Sequence, residues 1–160
     1  MSLWKALAVA GGLVALAAVV GQVGGGSTDS VRRRYQSLDK PDFAPSPGVF
    51  GPAWGVLYPV VAVAGARVMA AEPSPERTRA LAAWGAQLAL NAAWSPLFFG
   101  RRAERAALAD IAGVIGFTAA FAAYARKVDR PAALMTVPYL GWLGFAAALN
   151  AGIVARQRGR

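Results

Sequence analysis

Of the 160 residues, 56% are hydrophobic and only 16% carry charge, with a mean hydropathy of +0.40; soluble domains carry about 25% charged residues, so the composition excludes an ordinary soluble fold and points to a membrane protein. Cysteine and histidine are both absent, which removes disulfides, thiol nucleophiles, imidazole acid–base chemistry and the common zinc and haem ligands. The net charge of +9 comes from basic residues at the ends of apolar runs, a placement that sets topology and meets anionic headgroups rather than nucleic acid.

The first apolar span covers residues 3–23, with Lys5 near its start and Gln22 near its end. It is long for the apolar region of a signal peptide, and no small-x-small cleavage pattern precedes Gly24, so a retained helix is expected. Residues 24–49 make the longest connection. They open with Gly24-Gly25-Gly26-Ser27, which reads as flexible, then carry Arg32-Arg33-Arg34, Tyr35, Leu38, Lys40-Pro41, Pro45 and Pro47. The prolines fix φ and bar helix, so the second half is expected to run extended over the membrane surface. A loop of this length in a small bundle is a lid or a disordered linker. Tyr35, Leu38, Phe43 and Phe50 give it side chains to bury, which favours a lid.

The second span covers residues 50–71, where Trp54, Tyr58 and Val61 share a face by i, i+4, i+7 spacing. An interfacial aromatic belt is the rival reading for Trp54 and Tyr58. Pro59 should kink or locally open this helix, and Arg67 is close enough to the end to snorkel. A polar turn over residues 72–79, with Pro73 and Pro75, leads to the third span at residues 80–99.

That third span carries the most information. At about 100° per residue, Trp84, Gln87, Asn91, Trp94 and Ser95 lie within roughly 60° of Asn91. Gly85, Ala86, Ala89 and Ala93 fall on the other side. An unpaired amide in lipid costs several kcal/mol, so the polar face should look into a bundle or cavity, or bond neighbouring helices. The small face, Gly85-x-x-x-Ala89-x-x-x-Ala93, suits close approach of another helix, either in a homodimer or within the same bundle.

A basic turn at residues 101–105 precedes the fourth span, residues 106–124, which contains Asp110 about one turn inside the boundary; a snorkelled or capping role is expected for it. After a turn at residues 126–131 the fifth span, residues 132–155, places Tyr139, Trp142 and Ala146 on one face, and the tail ends in Arg156, Arg158 and Arg160. Five spans put the termini on opposite sides. The side of the lid and tail carries ten basic residues against six on the other, or seven with Arg67. The positive-inside rule then assigns the lid and C-terminus to the cytoplasm, and helical spans with this bias favour a bacterial inner membrane.

Four blocks in order carry a resemblance: Tyr35-x-x-Leu38-x-Lys40-Pro41; Gly51-Pro52-x-Trp54-x-x-Leu57-Tyr58; Gln87-Leu88-Ala89-x-Asn91-x-x-Trp94-x-Pro96-x-Phe98-Phe99-Gly100; and Pro138-Tyr139-Leu140-x-Trp142. Together they resemble the TspO/MBR family, the tryptophan-rich sensory or translocator proteins, from about Tyr35 to Asn150. The resemblance implies an all-α, single-domain bundle of five transmembrane helices, commonly dimeric, that binds porphyrins and sterol-like or drug-like ligands beneath the first loop. Carried over by position, the pocket comprises Tyr35, Trp54, Tyr58, Asn91, Trp94, Ser95 and Trp142. It implies no metal site and no required cofactor, and it links Trp54 and Trp142 to light-dependent porphyrin breakdown. The lid departs from the family's tryptophan-rich pattern: Phe43 and Gly48 stand at two Trp positions, and Ala44 stands where a polar residue is usual, leaving fewer rings to stack on a macrocycle. Residues 149–156 lack the tyrosine of the proposed cholesterol motif, so cholesterol binding is not expected.

Three functions follow in order of support. The first is a tetrapyrrole-binding sensor, regulator or carrier. The second is a porphyrin-degrading enzyme whose chemistry would have to come from the photo-excited ligand and tryptophan redox, since the sequence offers no nucleophile–base pair. The third is a transporter. Without an obvious inverted repeat and with one embedded carboxylate, the chain gives ion-coupled transport little support, while passive carriage of a lipophile stays open.

Overall fold

The computed structural model describes residues 1–157; Arg158 and Arg160 of the basic tail lie outside them. Six helices account for most of the chain, and no strand occurs among the described residues. They are α1 (Leu3–Gly25), α2 (Thr28–Ser37), α3 (Phe50–Ala70), α4 (Pro75–Ser95), α5 (Glu104–Ala125) and α6 (Arg130–Gln157). A single 3₁₀ turn, Pro47–Val49, precedes α3, and a π-helical turn, Pro96–Gly100, follows α4.

The long helices close into a ring in the spatial order α1–α4–α5–α6–α3, with α3 returning to α1. In α1 the buried residues are Ala6, Ala10, Val14, Ala17, Gly21 and Gly25, a stripe of three- and four-residue steps that is almost entirely small. The opposite face exposes Leu13, Leu16, Val19, Val20 and Val23. Val56, Leu134 and Val137 are exposed in the same way, while Gln87, Thr118, Thr136 and Asn150 are buried. Large apolar side chains outside and amides inside invert the pattern of a water-soluble bundle, and place this one in lipid.

Four helical stretches are long and apolar enough to cross a membrane: Leu3–Gly25, Pro47–Ala70, Glu104–Ala125 and Arg130–Gln157. The fifth expected span is not among them. Helix α4 is as long as α3 but starts with Glu76, Arg77 and Arg79 and carries Gln87 and Asn91 in its middle, which dilutes its apolarity. Its position in the ring, between α1 and α5, is that of a full member.

Three expected boundaries move, each for a local reason. Residues 75–79 are not turn but the first turn of α4, because Pro75 suits the first helical position and the Ser74 hydroxyl caps the Arg77 amide at 3.1 Å. The expected loop 24–49 contains a helix, α2, started by the Ser27 hydroxyl on the Ser30 amide at 3.2 Å and favoured by Asp29 in its first turn and Arg34 in its last. The glycines before it are not a flexible hinge. Helix α1 runs through Gly24 and Gly25 because they lie so close to α4 that an added Cβ would overlap Pro96 and Ser95. The helix stops at Gly26, whose φ of 106° suits a residue without Cβ.

At the end away from the lid, Arg67 does more than snorkel. Its Nε and second guanidinium nitrogen donate to the two carboxylate oxygens of Asp129, each at 3.0 Å. Asp129 also accepts the Ala132 amide at 2.8 Å, so it caps α6 while tying α3 to the α5–α6 turn. Partial burial raises the Asp129 carboxyl, but the Arg67 and Ala132 hydrogen bonds and the Arg67 charge outweigh it and hold the group below the usual range. Asp110 makes no capping hydrogen bond through Oδ2, which is buried in α5 without a partner.

Candidate functional site

The interior of the ring is built from α3, α4 and α6. Trp54 and Tyr58, one helical turn apart on α3, stack with centroids 4.8 Å apart. Trp54 also meets Tyr139 and Trp142 of α6 edge-on, at 6.2 and 6.3 Å. These inward contacts replace the interfacial-belt reading of Trp54 and Tyr58. Edge-to-face and offset pairs of this kind add about 0.5–1.5 kcal/mol each beyond area burial.

Beneath the rings lies a one-directional chain of hydrogen bonds. The Tyr58 hydroxyl donates to Asn91 Oδ1 at 3.3 Å, Asn91 Nδ2 donates to the Tyr139 hydroxyl at 2.9 Å, and Tyr139 donates to Gln87 Oε1 at 3.0 Å. The amide face of α4 is therefore satisfied by tyrosines of α3 and α6. Trp84, expected on the same face, is pinned to α3: its indole N–H donates to the Val61 carbonyl at 3.0 Å. The ring covers Gly65 so closely that a Cβ there would overlap it. Gln87 and Tyr139 also border a cavity of about 10 Å³, room for a single water. Thr118 and Thr136, on the same cavity, bond back to their own helices at 2.7 Å.

The lid joins the site through rings. Tyr35 packs edge-on against Phe50 at 5.3 Å and Phe50 against Trp142 at 5.9 Å, so an aromatic path runs from lid to bundle. The Tyr35 hydroxyl donates to the Pro45 carbonyl at 2.9 Å, and burial pushes its phenol above the usual range. Lys40 Nζ lies 4.9 Å over the Tyr35 ring and donates to the carbonyls of Tyr35, Gln36 and Leu38, closing the end of α2. Arg34 is paired with the buried Glu104 at the start of α5, and Arg156 with Asp39 at 3.6 Å. Pro41 sits directly over Gly152 of α6. Phe43, at an expected tryptophan position, is exposed but still reaches Phe145 at 6.3 Å.

Of the seven expected residues, Trp54, Tyr58, Asn91 and Trp142 come together, and Tyr35 joins them through Phe50. Trp94 belongs instead to a second ring group, stacked on Phe98 at 4.9 Å and edge-on to Phe99 at 5.9 Å. Ser95 faces Gly25 of α1. Sequence reasoning left out Tyr139, the hub of the polar chain, and Phe50, the link to the lid. Tyr139 was within reach, since it shares the Trp142 face and stands in one of the quoted blocks. The indole N–H groups of Trp94 and Trp142 are buried without an acceptor. Such donors suit a carbonyl or carboxylate oxygen of a ligand. On the outer face of α4, Gly85 and Ala89 are exposed and Ala93 half-buried, so the small-residue stripe is not used within the bundle.

A helical bundle with large apolar side chains outside, an aromatic, amide-lined interior and a ring-bearing lid defines an integral membrane protein. The model of the TspO/MBR family matches residues 13–156. The chain is 40% identical over 131 residues to the translocator protein of Ovis aries, covering 80% of this chain and 77% of that protein. It is 35% identical over 130 residues to the tryptophan-rich protein TspO of Archaeoglobus fulgidus, covering 79% and 82%. It is 39% identical over 116 residues to the tryptophan-rich sensory protein of Cereibacter sphaeroides, covering 72% of each. The chain belongs to the TspO/MBR family.

Proposed function

We propose that this protein binds a porphyrin or a similar planar lipophile among Trp54, Tyr58, Asn91, Tyr139 and Trp142, and acts as a sensor or carrier of that ligand. The observation that carries the reading is the joining of three rings to a buried amide–tyrosine chain, with the Trp142 N–H left without an acceptor. A macrocycle would stack on the tryptophans, and Asn91 would orient its polar edge. Each buried ring could supply about 1–3 kcal/mol. In this reading α4 completes a set of five spans, the lid and C-terminus face the cytoplasm of a bacterial inner membrane, and two copies meet along Gly85, Ala89 and Ala93.

The test is a tryptophan-fluorescence titration of the purified protein with protoporphyrin IX, alongside Trp142→Phe and Asn91→Ala. Saturable quenching, weakened by both substitutions, is expected. Quenching of the same strength in both variants would place the ligand elsewhere.

The 6.3 Å edge-on contact of Trp54 and Trp142 favours a second reading, light-dependent breakdown of the bound porphyrin with these tryptophans as redox partners. Product formation that vanishes in Trp54→Phe and Trp142→Phe while binding persists would support it. Intact turnover in both variants would remove those residues from the chemistry.

A further inference from the structure

An apolar groove of about 350 Å³ runs along the outer side of the α3–α6 seam, lined by Ala53, Val56 and Leu57 on α3 and by Pro138, Gly141 and Trp142 on α6. We propose that this groove is the route by which the ligand passes between bilayer and pocket, and that the Trp142 ring is its door. The proposal deepens the pocket reading above and rests on it.

Four observations support the route. Trp142 is shared: it lines the groove, and its ring also meets Trp54 inside the bundle at 6.3 Å, so one side chain belongs both to the groove wall and to the ring cluster. Its indole N–H has no acceptor, so ring contacts with Phe50, Trp54 and Phe145 hold its rotamer and no indole hydrogen bond must break when it swings. The seam is the least closely packed of the five neighbouring pairs in the ring, and its wall is open at Gly141, where nothing lies within 4 Å of an added Cβ. The groove volume falls within the roughly 300–1,000 Å³ of small-molecule sites, so a lipophile can be seated there before it passes inward.

The lid offers a costlier path. Opening it would break the Arg34–Glu104 and Arg156–Asp39 pairs and would lift Pro41 from Gly152. A ligand already dissolved in the bilayer has no need of that path. The groove opens to the outer side of the bundle, where exposed Val56 and Val137 face lipid.

The experiment is stopped-flow quenching by protoporphyrin IX of the full chain in nanodiscs, with Gly141→Leu and Val56→Phe as two independent ways to fill the groove. Leucine at position 141 raises helix propensity and enters open space, since nothing lies within 4 Å of a Cβ there. Association and dissociation should both slow by at least about tenfold, while equilibrium affinity stays within about twofold, because a route alters rates and not the bound state. Glu104→Gln, which loosens the lid, should leave both rates unchanged. Unaltered rates in both groove variants with intact equilibrium binding would overturn the door and leave the pocket standing. Faster association in Glu104→Gln would overturn it as well, in favour of the lid. A groove variant that lost equilibrium affinity would make the groove itself the site and end the distinction between door and pocket. No saturable binding by the unsubstituted chain would remove the pocket reading, and the door with it.

Discussion

Asn91 on α4 and Tyr139 on α6 are joined by a 2.9 Å hydrogen bond that crosses the interior between two helices not adjacent in the ring. The Tyr139 hydroxyl donates in turn to Gln87 Oε1, and Asn91 Oδ1 accepts from Tyr58. Removing one member leaves its neighbours without their partner in the bundle interior, so the members should differ in cost according to how many partners they leave. Tyr139→Phe leaves an amide donor and an amide acceptor unpaired and should destabilise the bundle by about 2–3 kcal/mol. Tyr58→Phe removes only the longest bond, at 3.3 Å, and should cost about 1 kcal/mol or less. Thermal unfolding of both variants in one detergent gives the order, and an equal or larger loss in Tyr58→Phe would contradict it.

The ligand preference follows from what the chain lacks. With no histidine or cysteine, axial ligation of haem iron falls to tyrosine or methionine. Metal-free protoporphyrin should bind at least as tightly as haem in parallel titrations. Much tighter haem binding with a six-coordinate absorption spectrum would show an iron ligand that this reading omits.

The Arg67–Asp129 pair makes a prediction with a defined sign. The folded carboxyl titrates below its ordinary value of 3.8, so the ionised form is the one that stabilises. That contribution is complete above the ordinary value and is lost as pH falls through the depressed one. Asp129→Ala removes both the ion pair and the α6 cap and should cost about 1–2 kcal/mol near neutrality. Unfolding measured from neutral pH down to pH ~3 should show the wild-type advantage shrinking at the acid end. A gap that is constant or widens toward acid would assign the stabilisation to something other than the carboxylate.

Assembly is tested on the outer face of α4. Ala89→Leu places a branched side chain in the middle of the exposed Gly85/Ala89/Ala93 stripe, so a dimer packed there should dissociate in mild detergent while the monomer keeps its melting temperature. Light scattering that still reports a dimer would move the interface elsewhere.

How much of this was legible in the sequence depends on the periodicity of each stretch. The inward faces of α3 and α6 were, because Trp54, Tyr58 and Val61, and Tyr139 and Trp142, recur at helical spacing. The amide face of α4 was as well, since Gln87 and Asn91 fall together on one side. Helix α2 was not: its sequence, TDSVRRRYQS, is polar and short, so no apolar periodicity marks it out from the loop around it. Trp94 and Ser95 share an angular sector with Asn91 but sit one turn further on, where α1 and the π-helical turn at residues 96–100 take over as neighbours. A helical wheel gives direction and not depth, and depth separated these two from the ring cluster. Glycine read as slack at residues 24–25 was in fact contact, a distinction that only the facing helix can make.

The spatial order of the ring differs from the order of the chain. Its last helix, α6, closes the gap beside α3, and α6 brings both Tyr139 and Trp142. During synthesis the earlier helices can enter the membrane and meet one another while that wall is still missing. Until α6 is inserted the proposed site lacks both Tyr139 and Trp142, so the ring cluster and the amide–tyrosine chain are completed together and late.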